Sequence, residues 1–276
     1  MEIPSAIQQE LTEKINNKKR RIYIPLGDFN HTDNTAIIKS LTQLAIAQKI
    51  TFDGQKVMLA GFKAGLFQKY NTQQLTDNDF YKAMLQLEGF GFTAEQLSQA
   101  DFYRHWNKMV SVPDTKLPRM RDAILINRET DIEVVIVSNT NLQHLEHSYK
   151  LWQDRAIPIS LENNTIAGIR VLASTLVGKT KAEMIKEDMQ KNPIAIAEYI
   201  TNIIINADKN PLEAQRQKEV ETIKALPVKV VELNLNALTE AQDKPQSEWN
   251  YKSLSELLNI NFALYLEKTI QPKLLS

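Results

Sequence analysis

Glu133-Val-Val-Ile-Val-Ser138-Asn139-Thr140-Asn141 runs directly into Leu142-Gln-His-Leu-Glu-His-Ser-Tyr-Lys-Leu-Trp152. An apolar, β-branched run closed by a small hydroxyl residue reads as a buried strand, and the apolar residues Leu142, Leu145, Tyr149 and Trp152 recur at helical spacing. The stretch therefore predicts a strand feeding a helix. Such a junction leaves backbone N–H groups and a helix N-terminus aimed at one spot beyond the strand end, which suits an anion such as phosphate. Ser138 and Asn139 are equally suited to the plainer duty of capping the helix.

Working outward, residues 5–17 carry Ala6, Ile7, Leu11 and Ile15 at helical spacing, followed by Lys18-Lys-Arg-Arg21, read as a solvated helix end. Ile22-Tyr-Ile-Pro-Leu-Gly27-Asp28 is a first strand that breaks into a polar turn. From Asn34 to Val112 the pattern is helical throughout, with stripes at Ile37, Leu41, Leu44 and at Phe80, Ala83, Met84, Leu87, and a capping-box signature at Thr93 to Gln96. A helical block between the first and second strands predicts a separate subdomain. After Pro113 strands and helices alternate: a helix over Leu117 to Asn127, the Glu133 strand, Ile157 to Ser160, Ile169 to Ser174, a Thr180-Lys-Ala-Glu183 capping box, a strand at Ile203 to Asn206, Asn210-Pro211 opening a helix, and a last strand over Val228 to Leu235. That alternation predicts a parallel, doubly wound sheet. The expected organisation is 1–33 N-terminal helix and first strand, 34–112 helical cap, 113–240 α/β core, and 241–276 linker and terminal helix.

Of 276 residues, 33 are basic and 33 acidic, so no net field draws the chain to nucleic acid or anionic lipid. The absence of cysteine excludes disulfides, thiolate metal sites and cysteine nucleophiles. Met1 to Arg21 lacks the apolar stretch of a signal peptide, and a cytoplasmic protein without membrane insertion is the expectation. His144, Glu146 and His147 share one helix, but histidines three apart without a third ligand favour a solvent-facing pair over a metal site. His31 and His105 have no evident acid or nucleophile partner, while Trp106 and Trp152 fall on apolar stripes expected to be core.

Four stretches, in this order, resemble the haloacid dehalogenase (HAD) superfamily of the type with a helical cap inserted after the first strand. Ser138-Asn139-Thr140-Asn141 is similar to the family's second motif, whose hydroxyl residue holds the phosphoryl group. Leu172-Ala-Ser174 through Gly178-Lys179 is similar to the third, with Lys179 at the charge-neutralising lysine. Asn206-Ala207-Asp208 before Pro211 resembles the segment whose paired acids hold magnesium. The resemblance implies a Rossmann-like sheet core with a helical cap, and an aspartate nucleophile with an acid two residues on. Here the first motif aligns in two registers. By strand length, Pro25 takes the nucleophile position; by Asp-x-x-x-Thr spacing, Asp28 is the nucleophile and Asn30 replaces the acid/base. Both registers lose the second aspartate, and Asn206 and Ala207 bring no charge for an ion.

The expectation is a catalytically inactive HAD-like protein with no cofactor. It would serve as a protein-binding scaffold or adaptor in a bacterial multi-protein assembly, with a protein partner and no nucleic acid. A Mg²⁺-dependent small-molecule phosphatase using Asp28, Ser138, Lys179 and Asp208 is the alternative, and a non-hydrolytic phosphate-ligand sensor is a second one.

Overall fold

The computed structural model describes residues 18–202 and 211–233. The expected N-terminal helix, the strand at Ile203 to Asn206, the Asn210 cap and the terminal helix lie outside the described residues.

Nine strands are present among them: β1 (Arg20–Pro25), β2 (His31–Thr32), β3 (Val110–Ser111), β4 (Ile132–Ser138), β5 (Ile159–Ser160), β6 (Thr165–Ile166), β7 (Ile169–Ala173), β8 (Ile196–Asn202) and β9 (Lys229–Leu233). Seven form one sheet in the order β5-β6-β7-β4-β1-β8-β9. From β7 to β9 the pairing is parallel, and β5 and β6 add an antiparallel edge. The chain leaves β1 toward β4 and β7 on one side, then returns to β8 and β9 on the other. A strand order that reverses at β1 creates the crevice in which α/β sheets place their ligands.

Burial on both faces explains the sequence of the central strands. Val134, Val135, Ile136 and Val137 are all inaccessible, so β4 reads as a continuous β-branched run rather than an alternation. One face of the sheet packs Ile22, Ile24, Val134 and Ile136 against α6 (Leu117–Glu129) and α7 (Leu142–Gln153), with Trp152 at the centre. The other packs Tyr23, Val135 and Val137 against α9 (Lys181–Lys191) and α10 (Pro211–Lys224). A one-turn α8 (Ser174–Val177) links β7 to α9.

Helices α1 (Asn34–Gln48), α2 (Gly54–Lys63), α3 (Leu66–Asn71), α4 (Asp77–Leu85) and α5 (Gln99–Trp106) lie between β2 and β3 and have their own core. Its centre is aromatic: Phe80 stacks on Tyr70 at 4.0 Å and meets Trp106 edge-on at 5.0 Å. β2 and β3 pair antiparallel, His31 against Ser111 and Thr32 against Val110, so the two strands that enter and leave this block form its stalk.

The α/β class with an inserted helical block is as expected, but several local expectations are corrected. A strand that the sequence pattern did not mark, Ile196–Asn202, follows α9 and pairs with β1 from Arg20↔Ile196 to Tyr23↔Tyr199. Thr93 caps only a turn, through Gln96; the helix starts six residues later with Ser98 as N-cap. Thr76 and Asp79 form the capping box of α4 instead. Asn141, rather than Ser138 or Asn139, caps α7 by accepting from the His144 N–H at 2.9 Å.

The basic run Lys18 to Arg21 is not a solvated helix end. Lys18 donates to the carbonyls of Thr130 (2.7 Å) and Ile132 (3.2 Å), and Arg21, buried, pairs with Glu133 at 2.6 Å and Asp188 at 3.2 Å. Charge-assisted pairing of this kind is what permits a guanidinium under a sheet.

Candidate functional site

β1 and β4 deliver their last residues, Pro25 and Ser138, and β8 its penultimate residue, Thr201, to one cavity of about 710 Å³. The helical block closes it from the opposite side with Phe62 and Phe67, Asn71 and Trp106. A concave site, mostly apolar with a few converging polar groups, is the form a small-molecule site takes.

The first strand runs unbroken to Pro25, which lies opposite Val137. Asp28 follows in a single 3-10 turn (Leu26–Asp28) that swings it into the cavity wall, 6% exposed. Its charge acts on both Lys116 and Tyr199. Lys116 donates to the Gly27 carbonyl at 2.6 Å and to the Asn30 carbonyl, tying down the loop after β1. Burial pushes this lysine down to about 8, against the pull of Asp28. Nothing in the local sequence marked Lys116, because its role depends on a loop some ninety residues earlier.

Asn30 is fully engaged. Its Nδ2 donates to Ser148 Oγ at 2.7 Å and its Oδ1 accepts from Trp152 Nε1 at 3.0 Å, at 4% exposure. Asparagine therefore serves here as a core bridge, satisfying a buried indole and a buried hydroxyl together.

Ser138 lines the cavity, and its hydroxyl makes no hydrogen bond among the described residues. Asn139 beside it is held at both ends: Oδ1 accepts from the Lys181 backbone N–H at 3.0 Å, and Nδ2 donates to Glu219 Oε2. Thr140 is stitched to the end of β7 through Ser174 Oγ, which accepts from its N–H and donates to its carbonyl.

Lys179 is not brought into the cavity. It is half-exposed and pairs with Glu187 on the outside of α9. Lys181, two residues on and past the Thr180 cap, lines the site instead, as Lys116 also does. Its ammonium lies 2.5 Å from Glu219 Oε1 and 3.3 Å from the Tyr199 hydroxyl. Burial by itself would lower this lysine, but Tyr199 and Glu219 hold it above its ordinary value, so it stays charged. Glu219, missed in the sequence, stands on α10 with Arg216 and Val220 on the same cavity-facing side. The only local signal was the spacing of these residues along a helix.

His144 is not solvent-facing. It stacks on Trp106 at 5.2 Å with a 9° tilt, and its Nε2 lies 3.3 Å from the Trp106 carbonyl. Burial drives it down to about 4, so it is neutral at pH 7. Gln143 donates to Asp77 at 2.7 Å and Asn141 to Asn71 at 3.3 Å, adding polar bolts between α7 and the helical block. His147 is half-buried and Glu146 exposed, so the three do not converge on one ion. His105 pairs with Ser40 at 2.6 Å in the helical block, away from the cavity, and His31 lines the cavity beside the stalk.

Among the described residues no three His, Asp or Glu side chains are grouped to hold a metal. Asn206 and Asp208 lie outside the described residues, so those present do not by themselves form a magnesium site. No helix among them is long and apolar enough to cross a membrane.

No family model and no curated protein matches the sequence. Among solved structures, the chain is similar to a HAD family enzyme from Bacteroides thetaiotaomicron, at 18% identity and a TM-score of 0.48 over 80% of this chain and 98% of that one. It is also similar to a hydrolase from Pseudomonas syringae, at 10% identity and a TM-score of 0.36 over 83% of this chain and all of the other.

Proposed function

We propose that this chain acts by binding rather than by turnover. It is a HAD-like protein without covalent phosphoryl transfer that serves as a protein-binding scaffold or adaptor subunit of a larger assembly. The observation that carries this reading is the set of strand ends at the cavity, Pro25, Ser138 and Thr201. Transfer through a carboxylate needs an aspartate delivered by the first strand and a second acid two residues on; the strand delivers proline, and Gly27 follows at that spacing. In the other register the acid/base position is Asn30, whose amide is engaged with Trp152 and Ser148.

A second reading rests on Asp28, a buried carboxylate in the wall of the same cavity. It makes the chain a Mg²⁺-dependent phosphatase of small phosphate esters. One assay separates the two: release of p-nitrophenol from p-nitrophenyl phosphate, and of phosphate from a panel of sugar and nucleoside monophosphates, with and without Mg²⁺. The binding reading expects release no faster than the buffer blank, unchanged by EDTA and by Asp28→Asn. Mg²⁺-dependent release lost in Asp28→Asn overturns it in favour of the phosphatase.

A further inference from the structure

The cavity holds one cationic arrangement that is already closed by the protein itself. Lys181 Nζ and Asn139 Nδ2 both donate to the carboxylate of Glu219, one to each oxygen. Asn139 is turned into that orientation by the Lys181 backbone N–H, which fixes its Oδ1 and leaves Nδ2 to point at the carboxylate. The Tyr199 hydroxyl, behind Lys181, accepts a further hydrogen bond from it. Alongside, the Ser138 hydroxyl lines the same cavity and forms no hydrogen bond among the described residues. An ammonium and an amide N–H, with a hydroxyl at the end of β4 in the same cavity, are donors suited to a planar or tetrahedral oxyanion. A carboxylate reaching in from α10 supplies just such an oxyanion from within the chain.

We propose that Glu219 is a built-in anion that occupies a small-oxyanion site made of Lys181 and Asn139, so that this part of the native cavity turns phosphate and carboxylate ligands away. The consequence deepens the binding reading, on which it rests for the absence of turnover. The Lys181 ammonium is internally neutralised, so a phosphate approaching it would meet the Glu219 charge and would have to break a largely buried ion pair to bind. Removing that carboxylate leaves Lys181 buried and unpaired, a state that an external oxyanion stabilises by linkage.

The test is inorganic phosphate titrated against the full chain by isothermal calorimetry and thermal shift, for the native protein, Glu219→Ala, Glu219→Gln and Glu219→Ala with Lys181→Met. Native protein is expected to give a flat titration to millimolar phosphate. Glu219→Ala is expected to bind phosphate at least about tenfold more tightly than the native chain, with a rise in Tm, because one repulsive charge is gone and one cation is released. The Lys181→Met combination is expected to lose the gain. Glu219→Gln keeps the shape of the side chain and serves if the alanine variant does not fold. Lys181-dependent phosphate binding by the native protein overturns the proposal while leaving the absence of turnover intact; flat titrations in every folded Glu219 variant overturn it too. Hydrolysis in the ester assay would instead strike the binding reading itself.

Discussion

His144 illustrates how a single side chain can change its meaning once its surroundings are known. On the helix it is one of two histidines three residues apart; in the fold it is a buried, neutral ring stacked on Trp106. An unfolded imidazole takes up its proton near 6.5, whereas His144 holds off until about 4. Between those values the unfolded chain binds more protons than the native one, so stability is complete above 6.5 and declines as the pH falls. Replacing it with phenylalanine keeps the stacking and removes the titration. Urea denaturation at pH 7 and pH 4.5 should show the native protein losing about 2 kcal/mol more than His144→Phe over that interval; equal losses would show that the ring is not buried neutral. Lysines 179 and 181 make the same point without titration. Thr180 is the N-cap between them, and a helix that starts there turns the residue inside it toward the sheet and leaves the one before it outside.

Among the elements, those with local signatures were legible. The capping box Thr180 to Glu183 is present as expected, and β4 and α7 follow from β-branched burial and helical spacing. β8 was not legible, since Ile203-Ile-Ile is more hydrophobic than Ile196-Ala-Glu-Tyr. Its place is set by partners: Glu198 accepts from Arg20 Nε at 2.8 Å and Tyr199 lies opposite Tyr23. The turn that carries Phe90 and Phe92 into the helical block depends on Gly91. Its φ of +72° is a left-handed conformation, and an added Cβ would meet the Thr51 carbonyl oxygen at 2.0 Å. Gly91→Ala should therefore lower the urea midpoint by the equivalent of about 2 kcal/mol or more. A midpoint within error of the native one would show that this turn does not constrain the block.

Across the whole molecule, two ends of the sheet have opposite character. The C-terminal ends open on the cavity, while the start of β1 sits in a buried ion network. Arg21 contacts Glu133 and Asp188, Arg170 contacts both acids, and Tyr23 donates to Asp188 at 2.8 Å. Asp188, though buried, is held below the usual carboxylate range by Arg170, Tyr23 and Arg21, which outweigh its desolvation. Removing one member of such a network leaves the others buried without compensation, so Asp188→Ala should destabilise by about 3 kcal/mol or more in chemical denaturation. A loss under about 1 kcal/mol, the range of exposed pairs, would show that water reaches the network.

By itself the sequence determined the alternation of strands and helices, the helical insertion after the first strand, the strand-turn-helix at Ser138, and the residue types at the strand ends. These depend on neighbours within one or two turns, where periodicity, capping and β-branching act. Only the tertiary structure decided that Lys181 rather than Lys179 reaches the cavity, that Glu219 answers it, that Asn30 bridges Trp152 and Ser148, and that Arg21 is buried. Those outcomes are charge and hydrogen-bond pairings between residues 38 (Lys181 and Glu219) to 167 (Arg21 and Asp188) positions apart. A buried polar group takes whichever partner the packing brings within about 3 Å, and local pattern carries no record of that.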